Sequence, residues 1–199
     1  MTAARPAARP RASRAQVLAA VKRLYPNVVF DGRLTVVGVR GYYRDTLGAV
    51  GRNDRAMYDD ALFLISDDAF VAFNGNTDPS GFRAGSGRGA GKGMASLNPG
   101  LWPVYRFDLH AGKYLALCQR AGVVTVTRDG RPPYPDTGMF GINIHRGGVN
   151  GTSSEGCQTI PPDQWPAFIA TAQDQAKRAY GPDWRGETIT YILLEGPIT

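Results

Sequence analysis

One histidine and one cysteine lie close together late in the chain, in a stretch rich in glycine. Within GMFGINIHRGGVNGTSSEGCQTI (residues 138–160), His145 ends a predicted strand and Cys157 follows after a Gly-rich loop. A thiol attacks a carbonyl only as the thiolate, and its free pKa of roughly 8.5 means that a base must help it to ionise near neutral pH. An imidazole can take this proton and later return it to the leaving group. We therefore predict that Cys157 is a nucleophile and that His145 is its general base.

The residue directly before the cysteine favours the same chemistry. Gly156 allows a sharp backbone turn and leaves room for a substrate carbonyl. Attack on an amide creates an oxyanion, which preorganised backbone N–H groups stabilise. We expect the N–H groups around Gly156 and Cys157 to do so, and we therefore count Gly156 among the catalytic residues.

The pattern IHRGG followed by SSEGCQTI resembles the signature of the L,D-transpeptidases, the YkuD-type domain. In that signature a strand-borne His-Gly precedes a Ser-His-Gly-Cys segment, which matches His145 to the base and Cys157 to the nucleophile. The resemblance implies substrate contacts from Ser154, Arg146 and Gly147. It also implies acyl transfer on the stem peptides of peptidoglycan through a cysteine thioester, with no metal or organic cofactor. The match is sharp only over this segment.

The chain departs from the family pattern at several positions. Glu155 stands where the family usually has a second histidine, and Thr159 stands where many members have Arg or Asn. We therefore expect Arg146 or the basic Gly-rich loop at 81–93 to bind the substrate carboxylate in place of that missing residue. The loop between base and nucleophile is short, as in the L,D-transpeptidase-like effectors and phage-encoded relatives, whose activities include carboxypeptidase and amino-acid exchange.

The other histidine and the other cysteine have ordinary explanations. Cys118, in LALCQ, alternates with apolar residues and is expected in the core. His110, in FDLHAGK, is expected at the surface before a turn. A disulfide between Cys118 and Cys157, which would abolish the mechanism, stays open. A zinc site is disfavoured because neither pair has the short spacing that structural zinc sites use.

Helices and strands must position these residues. Ser13 is a candidate N-cap before RAQVLAAVKRLY, and PPDQWPAFIATAQDQAKRAYG predicts a second helix that ends at Gly181. Strands are predicted at RLTVVGVRG, ALFLIS, FVAFNG, VYRFDLH, YLALCQ, VVTVTRDG, GINIHRG and ITYILLEG, whereas RDGRPPYPDTG predicts a loop. The predicted class is α+β, mostly β: a sandwich- or barrel-like catalytic domain over residues 13–199 with a helix near each end. A flexible basic arm, residues 1–12, precedes it.

Composition and charge set limits on function. The 199 residues are 43% hydrophobic, which suffices for one domain with a core, and no apolar run reaches the roughly 18 residues of a membrane span. The net charge of +6 attracts the chain to polyanions such as anionic cell wall. The first ten residues lack the apolar stretch of a Sec signal peptide. We therefore expect action at the periplasm or cell wall after phage release or export by another route.

Functions of two other classes stay open. One is a noncatalytic cell-wall or virion-associated protein of the same fold, and the other is a basic nucleic-acid-binding protein. Nucleic acid is the less expected partner, because the basic stretches lack the interleaved aromatic residues that single-strand binders use. For the enzyme, the residues leave open whether water or an amine resolves the thioester.

Overall fold

Two helices and eleven strands form the described part of the chain. The computed structural model describes residues 2–85 and 91–198; residues 86–90, in the predicted Gly-rich loop, lie outside it. The elements are α1 (Arg14–Leu24), β1 (Thr35–Arg40), β2 (Asp60–Ile65), β3 (Phe70–Gly75), β4 (Ala95–Leu97), β5 (Gly100–His110), β6 (Tyr114–Gln119), β7 (Val124–Arg128), β8 (Tyr134–Gly138), β9 (Ile144–Arg146), β10 (Gln158–Ile160), α2 (Trp165–Tyr180) and β11 (Ile189–Glu195). The predicted α+β class, mostly β, is confirmed.

The strands form one large sheet and one small one. The large sheet has the order β10-β9-β6-β5-β11-β1-β2-β3, and the small sheet has the order β4-β7-β8. β1 pairs in parallel with β11, and β9 with β10, while the remaining pairs are antiparallel. Asn76, directly after β3, forms a bridge with Thr159 of β10. This bridge joins the two outer strands, so the large sheet is nearly closed into a barrel.

The helices cover opposite faces of the large sheet. Val17 and Val21 of α1 belong to one core cluster with Phe63 of β2. Phe168 of α2 belongs to the other cluster, where it meets Phe73 of β3 edge-to-face at 5.3 Å between ring centroids. β1 and β2 are buried along their whole length, as expected of strands covered on both faces. Burial of each large apolar side chain contributes roughly 1.5–3 kcal/mol to the stability of the fold. These two strands therefore stabilise the centre of the sheet.

The helices begin and end close to the predicted residues, except that α2 begins later. Ser13 and Gln16 form a reciprocal capping box at the start of α1. Gly181 ends α2 as predicted, with φ of 68°. The start of α2 is at Trp165, later than the two prolines at which the sequence predicted it. Among the described residues, neither helix has the length and apolar character needed to cross a membrane.

The prediction of a loop at RDGRPPYPDTG was wrong in part, because this segment contains β8. The strand pairs antiparallel with β7, and the hydroxyls of Thr125 and Thr137 meet across the pair at 2.9 Å. Pro135 fits because β8 is an edge strand and needs only one ladder of hydrogen bonds. The local turn composition concealed a strand that its pairing with the preceding strand, β7, specifies.

The predicted flexible arm, residues 1–12, lies against the domain in the structure. The N–H of Ala3 donates to the carbonyl of Val149 at 2.8 Å, and the N–H of Tyr58 donates to the carbonyl of Ala4 at 2.9 Å. Such backbone hydrogen bonds do not depend on side-chain composition, which is why a basic, proline-rich sequence gave no sign of them. The arm therefore contacts the loop that follows β9.

Candidate functional site

β9 and β10 carry the two residues that are predicted to react. They pair in parallel, with Thr159 opposite His145 and Gln158 opposite Ile144. Cys157 directly precedes β10, and strand spacing and rise put its Cα on the order of 8 Å from that of His145. Side chains two residues apart on a strand share a face. The fold therefore brings the predicted nucleophile and base to adjacent strands at one edge of the sheet.

The thiol of Cys157 is partly buried and has a hydrogen-bond partner on each side. Its Sγ accepts from the N–H of Asn143 at 3.4 Å and donates to the carbonyl of Gly141 at 3.4 Å. Burial raises the pKa of this thiol to about 11, although the Asn143 N–H opposes the rise. The resting thiol is therefore protonated at neutral pH, and a base must remove its proton during attack.

His145 is a buried, neutral imidazole. Its Nδ1 lies 2.8 Å from the carbonyl oxygen of Arg146 and 3.4 Å from the hydroxyl of Tyr114. Because a carbonyl only accepts hydrogen bonds, Nδ1 carries the proton and Nε2 has the free lone pair. Burial lowers the pKa of His145 to about 4, and the charge that His110 carries once it is protonated adds to this effect. The ring therefore has the protonation state and tautomer that a base acting through Nε2 requires.

The sulfur and the imidazole form no direct hydrogen bond among the described residues. The thiol hydrogen points to the carbonyl of Gly141, so the side chain of Cys157 must rotate before its proton passes to His145. Catalytic hydrogen bonds that are long or misaligned in a free enzyme often tighten once substrate is bound. The resting arrangement is a neutral pair on adjacent strands rather than a preformed ion pair.

The thiol borders a cleft of about 480 Å³ with a basic wall. The lining residues are Arg83, Lys92, Gly93, Ala95, Arg128, Phe140, Gly141, Ile142, Glu155, Gly156 and Cys157. Glu155 is paired with Arg83 at 2.8 Å. Lys92 and Arg128 converge on one carboxylate, that of Asp136, at 2.7 and 2.6 Å. Three cations against two carboxylates leave a surplus of positive charge, which attracts anionic substrates.

None of the three predicted substrate-binding residues, Ser154, Arg146 and Gly147, lines this cleft. Arg146 is exposed, and its guanidinium lies over the ring of Tyr114 at 5.2 Å, where a cation–π contact holds it. Gly147 is buried, and its N–H donates to the carbonyl of Ile160 at 2.8 Å. Two of the three basic residues that line the cleft, Arg83 and Lys92, come from the ends of the loop at 81–93, the other source that the sequence suggested, and the third, Arg128, ends β7.

Ser154 and Gly156 shape the backbone around the nucleophile. The hydroxyl of Ser154 donates to the carbonyl of Cys157 at 2.7 Å and accepts from the N–H of Gly156 at 3.0 Å. Ser154 is buried, so it acts on the nucleophile through the backbone. The Gly156 N–H, engaged in this way, is not free for an oxyanion in the resting state. Gly156 has φ of 153°, and a Cβ there would lie 2.4 Å from the carbonyl oxygen of Ala95.

Residues 76–80, directly after β3, clamp the loop that carries the nucleophile. Asn76 and Thr159 exchange two backbone hydrogen bonds of 2.8 Å. The N–H of Ser80 donates to the carbonyl of Ser154, and the hydroxyl of Ser80 accepts from the Ser154 N–H, both at 2.7 Å. Thr159 is fully buried, so its side chain does not bind a substrate carboxylate.

Gln119, which the sequence analysis did not single out, holds residues 140–142, which line the cleft. Its side-chain oxygen accepts from the N–H groups of residues 140–142 at 3.1, 3.0 and 3.1 Å. Its side-chain nitrogen donates to the carbonyls of Gly122 and Gly138 at 3.0 and 2.9 Å. The loop so held includes Gly141, whose carbonyl receives the thiol hydrogen. A glutamine at the end of a strand carries no sequence signal for such a role.

Asn143 contacts Cys157, Gln119 and His110. Its backbone N–H contacts the thiol of Cys157, and its side-chain oxygen accepts from the N–H of Gln119 at 3.0 Å. Its side-chain nitrogen lies 3.1 Å from Nδ1 of His110. One signal was present in the sequence: Asn143 is polar, lies in an apolar strand segment and stands two positions before His145.

The structure shows where the other cysteine and the other histidine, Cys118 and His110, lie. Cys118 is fully buried, and both cysteines are free, so the prediction of a core position is confirmed and the disulfide is absent. Burial raises the pKa of Cys118 to about 11. His110 ends β5 directly before a turn, as expected, and is partly exposed; its ring stacks on that of His145, a contact that the sequence did not indicate.

Comparisons of the chain with models of protein families, with curated proteins and with solved structures found no match. Within residues 2–85 and 91–198, no three side chains of His, Cys, Asp or Glu are grouped so as to hold a metal ion. The site is thus defined by its own geometry: a thiol at a basic cleft, with a neutral imidazole on the adjacent strand.

Proposed function

We propose that this protein is a cysteine acyl-transfer enzyme that acts on the stem peptides of peptidoglycan through a thioester at Cys157. One observation carries the proposal: the thiol borders an accessible basic cleft, while the adjacent strand holds a neutral imidazole with its Nε2 lone pair free. The likeness of the segment from His145 to Cys157 to the L,D-transpeptidase signature supplies the substrate class.

The first half-reaction uses both side chains. The Sγ of Cys157 attacks a stem-peptide carbonyl while its proton passes to Nε2 of His145, and the carbonyl oxygen becomes an oxyanion. The C–N bond then breaks, and the imidazolium gives its proton to the leaving amine. D-Ala leaves, and the acyl group remains on sulfur as a thioester.

The second half-reaction regenerates the thiol. Water or an amine attacks the thioester and gives a proton to His145, the C–S bond breaks, and the sulfur recovers a proton from the imidazolium. Water produces the shortened acid and makes the enzyme an L,D-carboxypeptidase. An amine produces a new amide and makes it an exchange or cross-linking enzyme.

The charge of the cleft supports an acidic substrate. Lys92 and Arg128 lie over the ring of Phe140 at 5.4 and 4.7 Å, which holds the two cations beside the thiol. Stem peptides carry carboxylates at the diaminopimelate centre and at D-Ala. Since two cations share the single carboxylate of Asp136, one unit of positive charge remains to attract such a group.

Purified protein incubated with defined muropeptides, with products identified by mass, tests the proposal. Loss of D-Ala indicates a carboxypeptidase, gain of a D-amino acid indicates exchange, and dimers indicate cross-linking. Cys157→Ala and His145→Ala should each abolish turnover and keep the wild-type circular dichroism spectrum. Cys118→Ser, the matched cysteine control, should keep most activity. Wild-type turnover in Cys157→Ala contradicts the proposal.

The same preparation separates the alternatives. A noncatalytic cell-wall protein of this fold would bind peptidoglycan and release no product. A nucleic-acid-binding protein would bind DNA with an affinity that falls steeply as salt rises, and would leave muropeptides unchanged.

A further inference from the structure

The two histidines of the chain stack on each other. His110 ends β5 and His145 lies in β9, and β6 lies between these strands in the sheet. Their ring centroids are 3.9 Å apart, and the ring planes differ by 16°. A flat neighbour at this distance restricts rotation of the His145 ring, whose Nδ1 is also held by the carbonyl of Arg146.

The hydrogen bonds around Asn143 fix the protonation of His110. The N–H of Gln119 donates to the side-chain oxygen of Asn143, so the side-chain nitrogen of Asn143 must be the atom that faces His110. That nitrogen only donates, and Nδ1 of His110 must therefore accept. His110 is then neutral with its proton on Nε2, whereas His145 is neutral with its proton on Nδ1.

The charges around the two rings oppose protonation of either one. Burial lowers the pKa of His110, and the cations of Arg120 and Lys113 lower it further. Asp108, two positions before His110 in β5, forms an ion pair with Arg120. Around the His145 ring, the carbonyl of Arg146 and the hydroxyl of Tyr114 lie at Nδ1, and His110 stacks on the ring face. Two rings in stacking contact cannot both become cations without strong repulsion.

We propose that His110 is a positioning residue for His145, a second imidazole whose stacked ring holds the ring of the base in place. The inference rests on the proposed function for the role of His145 as base. Asn143 joins the pair to the nucleophile, because its side chain binds His110 and its backbone N–H binds the sulfur.

The test is a pH titration of the full-length protein, ¹⁵N-labelled at histidine, by imidazole NMR. Two histidines give two sets of signals, and the variant His110→Gln assigns them. In the wild type we expect the Nε2–H tautomer for His110, the Nδ1–H tautomer for His145, and a titration midpoint of His145 near pH 4. In His110→Gln, which is neutral at every pH, that midpoint should rise, while burial of the ring, the larger cause of the low pKa, still keeps it below 6.5.

Lys113→Gln is the matched control, since it removes a cation close to His110 by the same substitution, and it should leave the His145 midpoint unchanged. A His145 midpoint that does not move in His110→Gln overturns the inference. If His110→Gln fails to fold, the wild-type spectrum still decides: a His110 that carries its proton on Nδ1, or is cationic at pH 6, contradicts it.

The pH dependence of turnover is a second measurement, and a purely structural role of His110 would not change it. The acidic limb of kcat/KM reports the base in the free enzyme, so the activity of His110→Gln at pH 5 relative to pH 7 should fall below that of the wild type. The wild type should lose little over the same range. If the wild type turns over no muropeptide, the proposed function fails, while the NMR midpoints still decide the role of His110.

Discussion

Gly151 and Gly156 lie in the same loop before β10, but only Gly156 is packed against another strand. A Cβ at Gly156 would lie 2.4 Å from the carbonyl oxygen of Ala95, whereas a Cβ at Gly151 would have no atom within 4 Å. The close approach sets the path of the backbone into Cys157. The position of the sulfur therefore depends on the absence of a side chain at residue 156.

We predict that Gly156→Ala destabilises the fold by about 1–3 kcal/mol and lowers kcat/KM by at least about tenfold, because the backbone must move away from Ala95. Gly151→Ala is the control and should change either quantity little. Urea unfolding and muropeptide turnover measure the two effects. Equal behaviour of the two variants would show that the contact with Ala95 does not position the nucleophile.

Ser154 and Ser153 provide a second matched pair. Ser154→Ala removes a buried hydroxyl that binds the Cys157 carbonyl and the Gly156 N–H, so we expect a loss of about 1–3 kcal/mol in the free energy of unfolding. Ser153 is exposed, and Ser153→Ala should cost less than about 0.5 kcal/mol. Chemical denaturation measures both, and a loss at Ser153 as large as that at Ser154 would contradict the assignment.

At the residue scale, residue type and glycine spacing singled out His145 and Cys157, because few side chains can act as a base or a nucleophile, and the fold brings the two residues to adjacent strands. The contacts of His110 and Gln119 come from strands far away in the chain, and no local pattern encodes them. Carboxylate binding by Arg146 stays a prediction, and no local pattern indicated that its guanidinium lies over the ring of Tyr114, on another strand.

Among the elements, the loop between β8 and β9 depends most on a single side chain. Gln119, at the end of β6, satisfies three N–H groups and two carbonyls of surrounding loops. The three N–H groups belong to residues 140–142, which form the wall of the cleft next to the thiol. The position of this wall therefore depends on the side-chain amide of Gln119.

We predict that Gln119→Met lowers the free energy of unfolding by about 2–4 kcal/mol, because buried backbone groups lose their partners. Turnover should fall as well, since the carbonyl of Gly141 would no longer be fixed beside the sulfur. Gln173→Met, on the partly exposed face of α2, is the control and should behave as wild type. Unfolding curves of the two variants that coincide would refute this role of Gln119.

Elements with strong local patterns were predicted, whereas β4, β8 and β10 were not. The capping box of α1 and the alternating segments of the central strands are local signals. β4 and β10 have three residues each, too few for alternation to show. β8 contains the turn-like residues of YPDTG and exists because β7 pairs with it.

For the molecule as a whole, a buried carboxylate group ties the ends of several strands together. Asp60 accepts from the N–H of Gly41 at 2.5 Å and from that of Thr77 at 2.6 Å, which connects β1 and β2 to the clamp after β3. Asp59 beside it is fully buried. Burial raises the pKa of Asp59 to about 6 and that of Asp60 well above its usual range.

A raised carboxyl pKa in the folded state stabilises the fold below pH 4, and this stabilisation is lost as pH rises through about 6. We therefore predict that Asp59→Asn, which cannot ionise, gains on the order of 1–3 kcal/mol relative to wild type between pH 4 and pH 7. Urea unfolding across this range measures the difference. Asp68→Asn, exposed in the turn after β2, should follow the wild-type curve. A constant difference between Asp59→Asn and wild type would contradict the prediction.

The central claim, that Cys157 carries the acyl group, is tested most directly by the intact mass of the protein after acid quench during reaction with a tetrapeptide muropeptide. We predict a mass increase equal to the muropeptide minus D-Ala, located by digestion on the peptide that contains Cys157. It should be present in Cys118→Ser and absent in Cys157→Ala. Turnover that persists in Cys157→Ala, or an adduct located on Cys118, would contradict the account.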